Sequence, residues 1–150
     1  MRRDESATRR HGLEMEGEAL THEMATTAAR AANEMFARDV TIIDLRGLVS
    51  YADYFVIASA ETERQTRRVA EEVIERMAER GHRPRSKRID EGTTWISLDF
   101  LDVVVHIFTD EARDYYRLES LWRSAPQSLW EQGAPVIGGS SEGPKSETAR

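Results

Sequence analysis

Tyr54-Phe55-Val56-Ile57-Ala58 is an uninterrupted apolar run, and its reading decides the fold. Alternating polar residues would mark a strand with one wet face. A continuous run of β-branched and aromatic residues reads as a buried central strand. Upstream of it, Val40-Thr41-Ile42-Ile43-Asp44-Leu45 is a second strand rich in β-branched residues, and Gly47 supplies a turn between the two. Downstream, Thr62 and Gln65 have the spacing of a capping box, so a helix starts near Thr62. Val69, Ala70, Val73, Met77 and Ala78 form its apolar stripe, and Gly81 is a C-terminal stop.

The same reading extends to both ends. Ala25, Ala28, Ala29, Ala32, Met35 and Phe36 repeat at helical spacing and predict a first helix over roughly Thr21 to Ala37. Its stripe is made of small residues, which allows close packing on a sheet or helix. Pro84 to Ile89 is a short edge strand, because proline and cations discourage further pairing. Trp95-Ile96-Ser97-Leu98-Asp99-Phe100 alternates, with Ile96, Leu98 and Phe100 facing the core and Trp95, Ser97 and Asp99 facing away. Leu101-Asp102 turns the chain into Val103-Val104-Val105-His106-Ile107-Phe108, a second buried strand and the partner in a hairpin. A short helical stretch starts near Asp110, and Pro126 ends it. The order α-β-β-α-β-β-β-α predicts an α/β (α+β-like) fold, a mixed sheet of about five strands with helices packed on it.

Residues 1–20 lack apolar periodicity and read as a disordered N-terminal tail, with Met15 and Met24 as alternative starts. Residues 21–133 form the domain. The stretch from 134 on, containing Gly138-Gly139-Ser140-Ser141, reads as a flexible C-terminal tail. The 150 residues support one core, and no apolar run approaches the roughly 20 residues of a membrane span. There is no cysteine, so disulfides and thiolate metal sites are excluded. Without a secretory signal, a cytoplasmic address is the default. The net charge is −6, and the stretch from Leu20 to Gly133 carries 15 Lys/Arg against 20 Asp/Glu, so the acidity belongs to the domain. That balance disfavours independent nucleic-acid binding.

Several stretches, in order, resemble the ribosomal silencing factors, the Iojap-like family. They are Asp44-Leu45-Arg46-Gly47, Ala52 through Ser59, Arg64-Gln65, Trp95 through Phe100, Asp102 through Phe108, and Glu111-Ala112-Arg113-Asp114-Tyr115-Tyr116-Arg117-Leu118-Glu119-Ser120-Leu121-Trp122. The resemblance covers about Ala28 to Pro126, and the run from Asp102 to Trp122 is its most distinctive part. It implies a fold related to nucleotidyltransferases but without their chemistry. It also implies binding to the large ribosomal subunit through protein uL14, blocked subunit joining, and a homodimer when free. The sequence departs from the family at Leu101-Asp102, where Gly-Asp is usual, so Leu101 is expected to carry a positive φ at some cost. It departs also at Ala60-Glu61-Thr62, where Gly-Thr-Ser is usual, and at Tyr51, usually aliphatic.

The candidate contact residues are Trp95, Asp102, Tyr116, Leu118 and Glu119. Trp95 falls on the strand face away from Ile96 and Leu98, and tryptophan is a common interface anchor; the alternative is that the first helix or a tail covers it. Tyr115 and Tyr116 cannot both point inward, and the resemblance assigns the contact to Tyr116, with Leu118 and Glu119. Leu121 and Trp122 read as core. Asp102 is either a local turn residue or an acidic contact to a basic ribosomal protein. His106, among valines, reads as a hydrogen-bonded core residue, Asp53 as structural, and Arg64 as a solvated charge.

Neither a catalytic residue nor a cofactor is expected. A nucleotidyltransferase, the rival reading, needs a Gly-Ser loop followed by Asp-x-Asp to hold Mg²⁺. Ser59-Ala60-Glu61 lacks the glycine and Asp-x-Asp is absent. No histidine pair has metal-ligand spacing. Arg83-Pro84-Arg85-Ser86-Lys87-Arg88 is a short basic patch suited to a rim contact with ribosomal RNA.

Overall fold

The computed structural model describes residues 2–130. The elements in chain order are α1 (Arg2–Glu34), β1 (Arg38–Asp44), β2 (Tyr54–Ala60), α2 (Glu63–Glu79), β3 (Ser86–Ile89), β4 (Trp95–Asp99), β5 (Val103–Thr109), α3 (Asp110–Tyr116), α4 (Leu118–Leu121) and β6 (Gln127–Leu129). The strands form one mixed sheet in the order β3-β4-β5-β2-β1-β6. Only β2 and β5 pair in parallel, from Tyr54 opposite Val103 to Ala60 opposite Thr109. The other neighbours are antiparallel.

β2 is central and buried along its whole length. Tyr54, Val56 and Ala58 join the core under α1 and α2, while Phe55 and Ile57 join the core on the opposite face. The unbroken apolar run therefore has a cause: the strand has two dry faces. On the first face, α1 contributes Ala25, Ala28, Ala29, Ala31 and Ala32, all fully buried. Side chains this small let the helix axis approach the sheet closely. α2 contributes Val69, Ala70, Val73 and Met77. On the second face, Ile43, Leu45, Phe55, Ile57 and Phe108 pack with Ala112 and Ala125, and Val49, Trp95, Val104, Leu118 and Trp122 cover them in part.

The sixth strand is absent from the sequence reading. Gln127-Ser128-Leu129 is too short to show alternation, and it lies just past the proline that ends the helical stretch. Its pairing with β1, Thr41 opposite Leu129, gives β1 a second neighbour. The helical stretch after β5 also differs from its single-helix reading: Arg117 lies in the left-handed region at φ 49° and splits it into α3 and α4.

α1 begins at Arg2, where the apolar period predicts Thr21. Residues 2–20 hold four Arg and four Glu, good helix formers without any packing, beside two glycines, and a burial period does not register them. Packing starts where the period starts: residues 16–20 are exposed, and Thr21, Met24 and Ala25 are buried. The far end also differs. Phe36 is not part of the buried stripe; it is 82% exposed and has φ 66°. The Ala37 N–H donates to the Ala32 carbonyl at 3.1 Å and the Phe36 N–H to Asn33 at 3.0 Å. That is the Schellman pattern with phenylalanine where glycine is usual. α2 ends the same way with Gly81 at φ 87°. Its start matches the capping reading with one shift. Thr62 accepts from the Gln65 N–H at 3.1 Å, but Gln65 reaches back to the Glu61 N–H at 2.8 Å, and its amide also donates to the Met35 and Phe36 carbonyls. The cap thereby ties α2 to the end of α1. The C-terminal tail expected from 134 lies outside the described residues.

Candidate functional site

β4 supplies the centre of the site. Its register with β5 sets Trp95 opposite Phe108 and Ser97 opposite His106, and directly opposed residues share a face. The aromatic side chains meet there. The Trp95 ring lies 4.9 Å from Phe108, 5.9 Å from His106 and 4.7 Å from Tyr116 of α3. The row continues inward through Phe55, 4.7 Å from His106, to Trp122, 6.0 Å from Phe55 and perpendicular to it. Edge and tilted contacts of this kind match the ring quadrupoles.

Trp95 is half-buried rather than exposed. Among the described residues, Tyr116 of α3 covers it. The indole N–H donates to His106 Nδ1 at 3.1 Å. Nδ1 thus accepts, and the ring proton belongs on Nε2, which is buried without a partner among the described residues. Burial holds the imidazole pKa down at about 4. A neutral His106 keeps the floor of this face dry and orients the indole. Asp90 fixes the strand entry: its Oδ1 accepts from the Trp95 N–H at 2.9 Å and its Oδ2 from the Thr94 hydroxyl.

Tyr116 is 44% exposed and Tyr115 81% exposed, so of the pair Tyr116 packs and Tyr115 stands out. Leu118 packs in part on the second-face core. Leu121 is 73% exposed, which corrects its reading as core: the kink at Arg117 rotates α4 so that Leu118 and Trp122 face the sheet and Leu121 does not. Glu119 is engaged inside the molecule. Its carboxylate accepts from Arg113 Nε at 2.8 Å.

Arg113 is the residue that sequence reading overlooked. Only 11% of its side chain is exposed. Besides Glu119, its guanidinium donates to the Asp39 carbonyl at 2.7 Å, the Ser59 hydroxyl at 2.8 Å and the Thr41 hydroxyl at 3.1 Å. One side chain therefore joins β1, β2, α3 and α4. Residues six apart do not face each other on a continuous helix, so the Arg113–Glu119 pair depends on the kink and leaves no helical signal in the sequence.

Asp102 is not beside Trp95. It occupies the turn at the other end of the β4–β5 hairpin, and the four steps from Trp95 to Asp99 alone span about 13 Å of strand. Leu101 takes φ 82°, as expected of a residue in glycine's place. The Asp99 carboxylate accepts from its N–H at 2.7 Å and steadies the turn. The Asp102 carbonyl accepts from the Asp53 and Tyr54 N–H groups at 2.7 and 3.1 Å, tying the turn to β2. Burial and then the Asp102 charge raise the Asp53 carboxyl above its usual pKa, while the Thr21 side chain of α1 hydrogen-bonds it; Asp102 itself is exposed in the turn. Between the two ends lie Ser97, Asp99 and Val104, all half-buried.

A separate groove at the start of α2 is lined by Glu61, Arg64, Arg67, Thr109, Asp110 and Glu111, among others. Among the described residues, no three His, Asp or Glu side chains are placed to hold a metal ion. No helix of the described residues is long and apolar enough to cross a membrane.

A family model described as "Ribosomal silencing factor during starvation" matches residues 18–150. The ribosomal silencing factor of Bacillus subtilis is 34% identical over 99 residues, covering 66% of this chain and 84% of its own. That of Halalkalibacterium halodurans is 33% identical over 104 residues, covering 69% and 89%. The chloroplastic Iojap protein of Zea mays is 32% identical over 116 residues, covering 75% of this chain and 49% of its own. A crystal structure of a Bacillus halodurans protein superposes with a TM-score of 0.63 at 30% identity, covering 72% and 98%. One from Chromobacterium violaceum gives 0.65 at 25% identity, covering 79% and 94%.

Proposed function

The chain belongs to the ribosomal silencing factor family, and on that premise we propose that it is a translational repressor that binds the large ribosomal subunit through protein uL14 and blocks joining of the small subunit by occupying the joining surface. The observation that carries the proposal is the half-exposed aromatic cluster of Trp95 and Tyr116, laid on a sheet face that α3 and α4 cover only in part. Large, rigid, partly desolvated aromatics are the usual energetic centres of protein interfaces. Leu118 extends the apolar centre. Asp102 forms an acidic end that complements a basic ribosomal protein. Glu119 sits at the rim, with one carboxylate oxygen held by Arg113. The binding unit is the domain of residues 21–133, and its address is cytoplasmic.

The mechanism is steric and no bond is made or broken. A nucleotidyltransferase reading would need a carboxylate set for Mg²⁺ and a phosphate loop. The end of β2 and the turn into α2 carry Ser59-Ala60-Glu61 where such a loop would require glycine.

Sucrose-gradient sedimentation with purified 50S and 30S subunits tests the proposal. The expected result is co-migration with 50S and loss of the 70S peak. Tyr116→Ala is the clean interface probe, since Tyr116 is more exposed than Trp95; it is expected to weaken 50S binding by about 2 kcal/mol or more. Failure of the wild-type protein to associate with 50S would overturn the reading.

A further inference from the structure

The chain is acidic overall, yet no Asp or Glu lies between Glu79 and Asp90, while Arg80, Arg83, Arg85, Lys87 and Arg88 do. The structure places this run at the β3 edge of the sheet, where all four strand residues are exposed. Two of the five cations are committed: Arg80 pairs with Glu23, and Arg85 pairs with Asp99 at 3.3 Å. Arg83, Lys87 and Arg88 have no ion-pair partner among the described residues.

Register says where the strand's cations point. β3 pairs with β4 so that Arg88 is opposite Ser97 and Ser86 opposite Asp99, while Lys87 is opposite Leu98. Opposed residues share a face. Arg88 therefore stands on the face that carries Trp95, one strand further out, and Lys87 stands on the other face, that of Leu98 and α2, so the two cations flank the sheet edge. The docking face is thus asymmetric, with an exposed acidic residue, Asp102, at one end and a basic edge along β3.

We propose that the β3 edge is the second half of the docking surface and contacts the phosphodiester backbone of ribosomal RNA next to the protein partner. The inference rests on the ribosome-binding reading above. A large-subunit surface offers two chemistries, basic protein and polyanionic RNA, and the two ends of this face match them in turn. Unpaired Arg83 just before β3, with Lys87 and Arg88 along it, suits a run of phosphates, which need charge but no base-specific geometry. The edge is too small and the domain too acidic for RNA binding on its own, so the contact adds to a protein anchor rather than replacing it.

The test is the Arg83→Ala/Lys87→Ala/Arg88→Ala variant of the full chain, whose substituted side chains are all exposed. Affinity for 50S subunits and for isolated uL14 is measured across a salt series. With each phosphate contact contributing about 0.7 to 0.9 to the slope of log K against log salt, the variant's slope on 50S is expected to be shallower by about two. Its affinity for 50S at low salt is expected to fall about tenfold or more, with affinity for isolated uL14 unchanged. A wild-type slope and affinity on 50S would overturn the inference. So would an equal loss on isolated uL14, which would assign the edge to the protein partner. Wild-type binding to 50S but not to isolated uL14 would overturn the protein-partner reading alone, and a shallower variant slope on 50S would still support the RNA contact.

Discussion

Leu101 holds φ 82° in a two-residue hairpin turn, closed by the Phe100 N–H on the Val103 carbonyl at 2.9 Å. Its side chain is half-exposed, so it gains little from burial there. Leu101→Gly is expected to stabilise the protein by about 0.5 to 1 kcal/mol, the relief of positive φ outweighing the added freedom of the unfolded chain. Urea unfolding checks it; a destabilised variant would mean that the leucine packs usefully. His106 makes a second prediction at this scale. Its folded pKa of about 4 lies below the 6.5 of an open chain. Its contribution is fully present above pH 6.5. As pH falls from there to about 4 the unfolded chain takes up a proton that the folded one refuses, and the loss is on the order of 3 kcal/mol. Below that range it levels off. Unfolding at pH 7 and at pH 4.5 should show the wild type losing more than His106→Gln over that interval; equal losses would place the pH sensitivity elsewhere. The sequence placed His106 and Trp95 on their strands correctly. It could not show that one donates to the other, because a hydrogen bond between neighbouring strands depends on register.

Among elements, the kinked pair α3 and α4 depends on Arg113. Arg113→Met keeps the bulk of the side chain but removes its four hydrogen bonds and strands Glu119 without its cation. Denaturant unfolding is expected to show a loss of about 3 kcal/mol, within the range for breaking a largely buried pair. Arg113→Lys is expected to recover only part of it, since an ammonium cannot span the Asp39, Thr41, Ser59 and Glu119 oxygens as a planar fork does. Binding to 50S is expected to weaken in both variants although Arg113 faces inward, because Tyr116 and Leu118 flank the kink it holds. If Arg113→Met retains full stability, the kink is set by something else. The legible elements included those with a strong period, a run of β-branched residues or a cap: β1, β2, β4, β5 and α2, with β3 legible as an edge strand. β6 was not legible, having three residues and deriving its identity from β1. The reading of α1 failed at Phe36 because a helical period continues on paper past a residue whose backbone has already turned left-handed.

For the whole molecule, blocking by occupancy has a quantitative signature. Inhibition of 70S formation is expected to be half-maximal at the protein concentration that half-saturates 50S subunits, and to be unchanged by adding ATP. Light scattering of subunit joining across a titration measures it. Inhibition at concentrations far below half-saturation would point to a catalytic effect and overturn the steric account. Fold class, and the strand face on which Trp95 falls, were legible because they follow from burial patterns. That the basic edge strand lies beside β4, with Arg88 on the Trp95 face, was not, because the pairing of β3 with β4 and its register leave no signal in the sequence.

The parallel pairing of β2 with β5 bears on how the protein forms. Every residue of that pair is joined to one 49 positions away, and β1 meets β6 across 88 positions from Thr41 to Leu129. Such distant pairings must close large loops before they gain any contact energy, which slows folding relative to a helical domain of the same length. The β4–β5 hairpin needs only its own turn and can form early, with Trp95 uncovered. Arg113, however, finds its partners only after β1 and β2 are in place, and β1 gains its second neighbour only when residue 129 arrives. A ribosome making this protein must therefore synthesise nearly all of the described chain before the aromatic face is complete.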